Sequence, residues 1–221
     1  MSNLILCSGK SGTGKDTFAQ IFQRMSFEKS TITWENKKFA YKLKLSFSTL
    51  TGIPVEDLES QKIKASYLPD CWNYTDENGK VKRMTVREGL IRMGHGMREN
   101  LHKDTWVNAL FVDIQEKPFF KSKKGKGKSK GFLSEVLPSF ATNSSNVIIS
   151  DLRYLNEAER GKSEGGILVR INSDRANIID HESETELDDY EDFDFVIDNS
   201  GTIEELTEMV DEIGNVIGLW N

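Results

Sequence analysis

Nine residues near the start of the chain have the types and spacing to hold phosphate: Gly9-Lys10-Ser11-Gly12-Thr13-Gly14-Lys15-Asp16-Thr17. They fit the pattern G-x-x-x-x-G-K. Glycines let a backbone wrap an anion so that its N–H groups point inward. A helix beginning directly after them adds the positive end of its dipole. Lys15 would reach the outer phosphates of a nucleoside triphosphate. Where a hydroxyl usually follows the lysine and binds Mg²⁺, this chain has Asp16, and Thr17 supplies a hydroxyl one position later. Asp16 and Thr17 are thus candidate metal ligands that share the role, with a helix cap as the alternative for Asp16. The bland alternative for the whole loop is a glycine turn joining a strand to a helix.

A phosphate loop names a donor and leaves the acceptor open. Ser150-Asp151-Leu152-Arg153 supplies the next chemistry. Asp151 closes an apolar run and is placed to hold Mg²⁺ through water or to orient an attacking oxygen. A helix cap is its alternative. Arg153 has the planar fork that clamps a phosphate, and Glu157, one helical turn on, could orient it. Arg87, Arg92 and Arg98 bracket Gly94-His95-Gly96, where the glycines would break a helix and admit a ligand close to the backbone. Each of these arginines could equally lie on a solvated helix face. Trp106 reads as a core residue or as a base-stacking surface. His95 offers one hydrogen bond to a base or none. Arg175 lies in the segment expected to close over the transferring group and exclude water.

These residues need elements to place them. Leu4 to Cys7 is a continuous apolar run, which reads as a buried parallel strand, and apolar positions at helical spacing follow the glycines. A short strand is expected at 38–40, helices at 43–50 and 55–64, and a hairpin around Asn78-Gly79. Thr85 and Glu88 form a capping box opening a helix that ends near Met93. Another helix starts near Asp104. A β-branched strand at 147–149, a helix at 155–162, strands at 167–171 and 193–197, and a second capping box at Thr202 and Glu205 complete the list. Strands alternating with helices give an α/β fold with a mainly parallel sheet covered on both faces. Its ligands bind beyond the carboxyl ends of the strands.

The chain has 221 residues and a formal net charge of -6, which argues against nucleic acid as the main partner. No apolar run is long enough to span a bilayer, and no basic leader opens the chain. The two cysteines, Cys7 and Cys71, read as free thiols of a cytoplasmic protein. Residues 117–131, dense in lysine, glycine and serine, read as a mobile surface loop. A nucleic-acid contact is their alternative, but aromatics for stacking are not interleaved. The acidic run 182–192 reads mostly as solvated surface.

The blocks GKSGTGKDT, FAYKLK, REGLIRMGHGMRENLHKDTW, ISDLRYLNEAE, DHESETELDD and FDFVIDNSGTIEEL occur in this order over nearly the whole chain. Together they resemble the deoxynucleoside monophosphate kinases of tailed bacteriophages. The resemblance implies a P-loop three-layer α/β sandwich as one domain, with a monophosphate-binding helical and hairpin region at 41–115 and a lid at 172–192. It implies transfer of the γ-phosphate of ATP to a deoxynucleoside 5′-monophosphate, with Mg²⁺ as cofactor. Ser11, Gly12, Thr13, Gly14, Lys15, Asp16 and Thr17 would hold ATP, with Asn199 and Gly201 lining its base. Lys44, Arg87, Gly94, His95, Arg98 and Trp106 would form the acceptor pocket, completed by Asp151, Arg153 and Glu157. Lys15, Asp151, Arg153 and Arg175 would act on the transferring group, and Asp16, Thr17 and Asp151 on the metal. His95 stands where the family often has a small hydroxyl residue, and residues 117–131 lie outside the pattern. A kinase of another phosphorylated metabolite, such as a phosphomevalonate or dephospho-coenzyme A type acceptor, stays open. A homodimer is compatible with this picture.

Overall fold

Leu4, Ile5, Leu6 and Cys7 carry no polar side chain, so a strand made of them must be covered on both faces. In the computed structural model, which describes residues 3–115, 146–177 and 185–220, they form β1 (Asn3–Ser8) and all four are buried. β1 is the middle strand of a five-stranded sheet of order β2-β5-β1-β6-β7. The other strands are β2 (Glu35–Lys37), β5 (Asn146–Leu152), β6 (Ile167–Asn172) and β7 (Phe195–Asp198). Every pairing is parallel. The chain is thus α/β with a parallel sheet, as its strand and helix alternation requires.

Alternation along β1 sends its side chains to two different cores. Ile5 and Cys7 meet Phe18, Phe22, Leu206 and Val210 on one face, carried by α1 (Lys15–Ser30) and α7 (Ile203–Val216). Phe22 is fully buried against the rings of Trp34 and Trp220, with centroids 5.1 and 5.2 Å away. Burial of one such ring contributes roughly 1.5–3 kcal/mol. Leu6 faces the other side, against α6 (Leu155–Ser163). The approach there is close: a Cβ on Gly161 would lie 2.7 Å from a Leu6 methyl. Neighbouring strands β1 and β5 therefore send their following helices, α1 and α6, to opposite faces. Such a divergence opens a crevice beyond the carboxyl ends of the two strands.

Packing divides the chain into two compact units, Met1–Lys38 with Leu110–Asn221, and Phe39–Ala109. The sheet belongs to the first. The second holds α2 (Ala40–Thr51), α3 (Gln61–Ala65), the hairpin strands β3 (Tyr74–Thr75) and β4 (Val81–Lys82), and α4 (Val86–Asn100). α5 (Thr105–Gln115) begins in it. Phe47, Leu58, Leu68, Val86 and Leu90 form its core. Three local expectations are corrected. The second strand lies at 35–37, before the apolar Phe39. The expected helix at 55–64 is broken at Ser60, whose hydroxyl caps α3 by accepting from Ile63 N–H. Most importantly, α4 runs unbroken through Gly94-His95-Gly96. Each glycine costs a helix only about 1 kcal/mol, and the Thr85 cap, with its Oγ1 3.1 Å from Glu88 N–H, supports the helix from one end. The buried indole of Trp106 supports it from the side by donating to the Gly94 carbonyl at 3.1 Å.

The lysine-rich residues 117–131 and part of the expected lid, 178–184, lie outside the described residues. Among the described residues no helix is long and apolar enough to cross a membrane.

Candidate active site

The glycine loop joins β1 to α1. Gly14 occupies the N-cap position at φ 93°, and no side chain caps the helix there. The first N–H groups of α1 therefore have no side-chain acceptor at the cap, which is how a helix end presents an anion site. Lys15 folds back over the loop. Its Nζ donates to the carbonyls of Gly9 and Lys10 at 2.6 and 2.7 Å, and the residue is 9% exposed. Thr13 Oγ1 also donates to the Lys10 carbonyl, at 3.0 Å. From below, Asn199 braces the loop by donating from Nδ2 to the Thr13 carbonyl at 2.9 Å. A side chain at position 14 would be excluded twice. The positive φ disfavours it, and its Cβ would sit 2.3 Å from Asn199 Nδ2. Gly14→Ala is expected to lower unfolding free energy by about 2–3 kcal/mol, read by urea denaturation. Asn199→Ala in the same background should return part of that loss by removing the clash.

At the end of β5 the register slips. Leu6 pairs with Ile149, but Ser8 pairs with Leu152, so β5 carries one residue more than β1 over this stretch. Bulges of this kind re-aim side chains. Ser150, buried, donates its hydroxyl to Asp16 Oδ1 at 2.7 Å. Lys38 Nζ approaches the same oxygen at 2.9 Å. Partial loss of water around the exposed Asp16 works against its charge, but these two partners outweigh it and hold its carboxyl below the usual range. Thr17, half-buried, follows on the first turn of α1, and Asp151 is half-buried at the end of β5.

Glu157 is 2% exposed and accepts from the backbone N–H groups of Arg153 at 2.8 Å and Tyr154 at 3.1 Å. Its carboxylate fixes the turn that carries Arg153. Lys15 reports how close these charges are. Burial first, then the Arg153 guanidinium, lowers its pKa to about 8, while Asp16 and Asp151 pull it partly back. Lys15, Asp16, Asp151 and Arg153 thus form one electrostatic cluster at the carboxyl ends of β1 and β5.

On the other side of β1, the segment after β6 packs on the loop. Asn177 N–H donates to the Ser11 carbonyl at 2.8 Å. Arg175 lies against Ser173 Oγ at 3.3 Å and donates to the carbonyl of Asn199. The Asn199 backbone N–H goes to the Asn172 carbonyl, so its polar groups serve the fold around the loop. Gly201 is exposed just before α7.

The described acidic residues of the run 182–192 are exposed, as a solvated surface requires, but Glu186 and Asp188 also contact other parts of the unit that carries the sheet. Asp188 bridges Lys10 Nζ of the loop at 2.9 Å and Arg170 Nη2 at 2.8 Å, and Arg170 Nη1 reaches Ser8 Oγ at 3.1 Å. Glu186 accepts from Leu155 N–H at the start of α6. Leu187, between them, is buried.

Within the second unit, Arg87, Gly94 and Arg98 follow at spacings of seven and four and share one face of α4. The Arg87 Nη2 donates to Gln61 Oε1 at 2.6 Å. Lys44, whose side chain is 11% exposed, pairs with Glu59 at 2.5 Å. Arg92 is held by Glu88 at 2.9 Å and lies over the ring of Tyr74. His95 and Arg98 are half-buried. Trp106 is 5% exposed and uses its N–H on Gly94. It sits in the core, as the first of the two readings of this residue has it.

Sequence reasoning missed Lys38, Ser150 and Asp188. The apolar Leu187 inside an acidic run was the one available sign that this segment docks. Among the described residues no group of three or more His, Cys, Asp or Glu side chains is placed to hold a metal ion.

No family model matches the chain. A stretch of 67 residues is 42% identical to a protein of Acanthamoeba polyphaga mimivirus named "Putative deoxynucleotide monophosphate kinase". That stretch is 29% of this chain and 34% of the viral protein, so the chain matches about a third of its relative's length.

Proposed function

We propose that the chain transfers the terminal phosphoryl group of ATP to a deoxynucleoside 5′-monophosphate, giving ADP and the diphosphate. The observation that carries this reading is the cluster of Lys15, Asp151 and Arg153 around the open N-terminus of α1. A buried lysine, a strand-end carboxylate and a fork-shaped cation beside uncapped N–H groups suit a phosphate donor and an anionic acceptor together. The partial similarity to a viral protein named for deoxynucleotide monophosphates supports that acceptor class.

In this reading the N–H groups of the loop and the Lys15 ammonium bind the donor phosphates. Arg153, positioned by Glu157, binds a phosphate oxygen, and Asp151 orients the attacking oxygen of the acceptor. Transfer is in line, without a covalent enzyme intermediate, so positioning and fixed charge supply the rate. Arg175 belongs to the segment that excludes water. Asp16, Thr17 and Asp151 offer hard oxygen donors of the kind Mg²⁺ takes beside substrate phosphates and water. Asp16 suits this because Ser150 and Lys38 occupy one oxygen only. When bound, Mg²⁺ would neutralise charge on the donor phosphates. Lys44, Arg87, Gly94, His95 and Arg98 are the proposed acceptor-binding residues.

The test is ADP release measured with a panel of deoxy- and ribonucleoside monophosphates. Stimulation by at least one deoxynucleoside monophosphate is expected. Stimulation only by phosphomevalonate or dephospho-coenzyme A would replace the acceptor, and no stimulation by any compound would sink the substrate claim.

A pH dependence follows from Lys15. An anionic phosphate raises the pKa of a lysine it touches. Starting from about 8, binding above that pH must take up a proton. The ATP dissociation constant should therefore rise by up to about tenfold per pH unit above roughly pH 8, and calorimetry in two buffers of different ionisation enthalpy should show the uptake. Lys15→Met should show neither effect.

A further inference from the structure

Lys38 has no place in the assignments above, yet the fold brings it to the centre of them. Lys37, the last residue of β2, pairs with Ile149, so Lys38 follows on beside Ser150. Its Nζ lies 2.9 Å from Asp16 Oδ1. The same oxygen accepts from Ser150 Oγ at 2.7 Å. Asp16 directly follows Lys15, and Ser150 directly precedes Asp151. Three segments far apart in the chain therefore meet at one carboxylate oxygen, next to the loop and on the Asp151 side of it.

Stability does not account for this arrangement. The Asp16 side chain is 61% exposed and that of Lys38 31%, and exposed ion pairs contribute little. Phosphoryl transfer, in contrast, spreads negative charge over the oxygens of the moving group, and cations already in position stabilise it without reorganising. A lysine that is only partly exposed, as Lys38 is, can keep its ammonium within reach of a ligand. Asp16, itself held by Ser150, supplies the fixing.

We propose that Lys38 is a further phosphate-contacting residue of this site, held by Asp16, which Ser150 fixes in turn, so that its ammonium meets the phosphoryl group in transit. The assignment rests on the phosphoryl-transfer reading above and adds a residue to it.

The experiment compares wild type, Lys38→Met, Lys38→Arg, Asp16→Asn and the Asp16→Asn/Lys38→Met double variant. Steady-state ADP release with the best monophosphate gives kcat and both KM values. Fluorescence titration gives the ATP dissociation constant, and thermal melts report folding. Lys38→Met should lower kcat about 100-fold, change the ATP dissociation constant less than about threefold, and melt like wild type. Lys38→Arg should recover most of the loss, because charge is what the site needs. The double variant should be slower than Asp16→Asn alone.

A Lys38→Met enzyme within twofold of wild type in kcat would overturn the proposal. So would equal losses in Lys38→Met, Asp16→Asn and the double variant, since Lys38 would then act only through Asp16. Should wild type turn over no monophosphate at all, the parent reading falls and takes Lys38 with it. That result is distinct from an active wild type matched by Lys38→Met.

Discussion

Lys15→Met is expected to lower kcat by about 10²–10³-fold while leaving the protein folded. The first half follows from position. Lys15 Nζ sits over the loop carbonyls of Gly9 and Lys10, at the point where the outer donor phosphates would lie. No other described cation is buried there. The second half follows from opposing terms. The change removes two hydrogen bonds to carbonyls, which costs about 1–3 kcal/mol. It also removes a buried ammonium whose pKa is lowered from 10.5 to about 8, and the net penalty, from burial and the Arg153 charge against the nearby carboxylates, is roughly 3 kcal/mol. The two oppose each other, so unfolding free energy at neutral pH should stay within about 2 kcal/mol of wild type.

The sign of the linkage gives a second check on the same variant. Between about pH 8 and 10.5 the unfolded lysine holds its proton and the folded one has lost it. The unfolded state then binds more protons, so wild-type stability should rise with pH across that window. Below about pH 8 the penalty is fully present. Lys15→Met should flatten the rise, as read by urea denaturation at several pH values. A wild-type curve already flat there would show that Lys15 is not the buried cation described.

Asp151→Asn should lower kcat by about 10³-fold with little change in melting temperature. The competing role for this residue is a helix cap, and the structure fills that role with other groups. The N–H groups of Arg153 and Tyr154 go to Glu157, and that of Leu155 goes to Glu186. Removing the Asp151 charge therefore leaves the start of α6 capped. It also withdraws a carboxylate that helps Lys15 keep its proton. The alkaline loss of ATP affinity should then begin below pH 8, a shift that lost capping would not produce. If Asp151→Asn melts much lower and its pH profile is unmoved, the residue is structural.

Several parts of this protein were legible in its residues because they depend on neighbours a few positions away. The run 4–7, the glycines at 9, 12 and 14 and the apolar spacing after Lys15 specify a strand, a loop and a helix in that order. The Thr85 cap and the Thr202/Glu205 box start α4 and α7 at the expected residues, since a cap satisfies N–H groups within one turn. The Glu88 carboxylate, however, goes to Tyr74 and Arg92 and does not complete a box with Thr85. Asp151 and Arg153 could be singled out because an acid and an arginine directly follow a β-branched run. Local rules failed at Gly94 to Gly96, where a glycine penalty of about 1 kcal/mol each was outweighed by the buried core and by Trp106.

The amino-acid sequence by itself thus determined the α/β alternation, the glycine loop that opens the proposed site and the strand-end residues that answer it. Only the tertiary structure decided that β5 inserts between β2 and β1, which sets Ser150 and Asp151 beside Asp16 and Lys15. It alone placed Lys38 on Asp16 and Asp188 on Lys10. The physical reason is range. Capping, turns and periodicity are settled within about one helical turn, whereas strand order and the pairing of distant charges are settled by which apolar faces can be buried together.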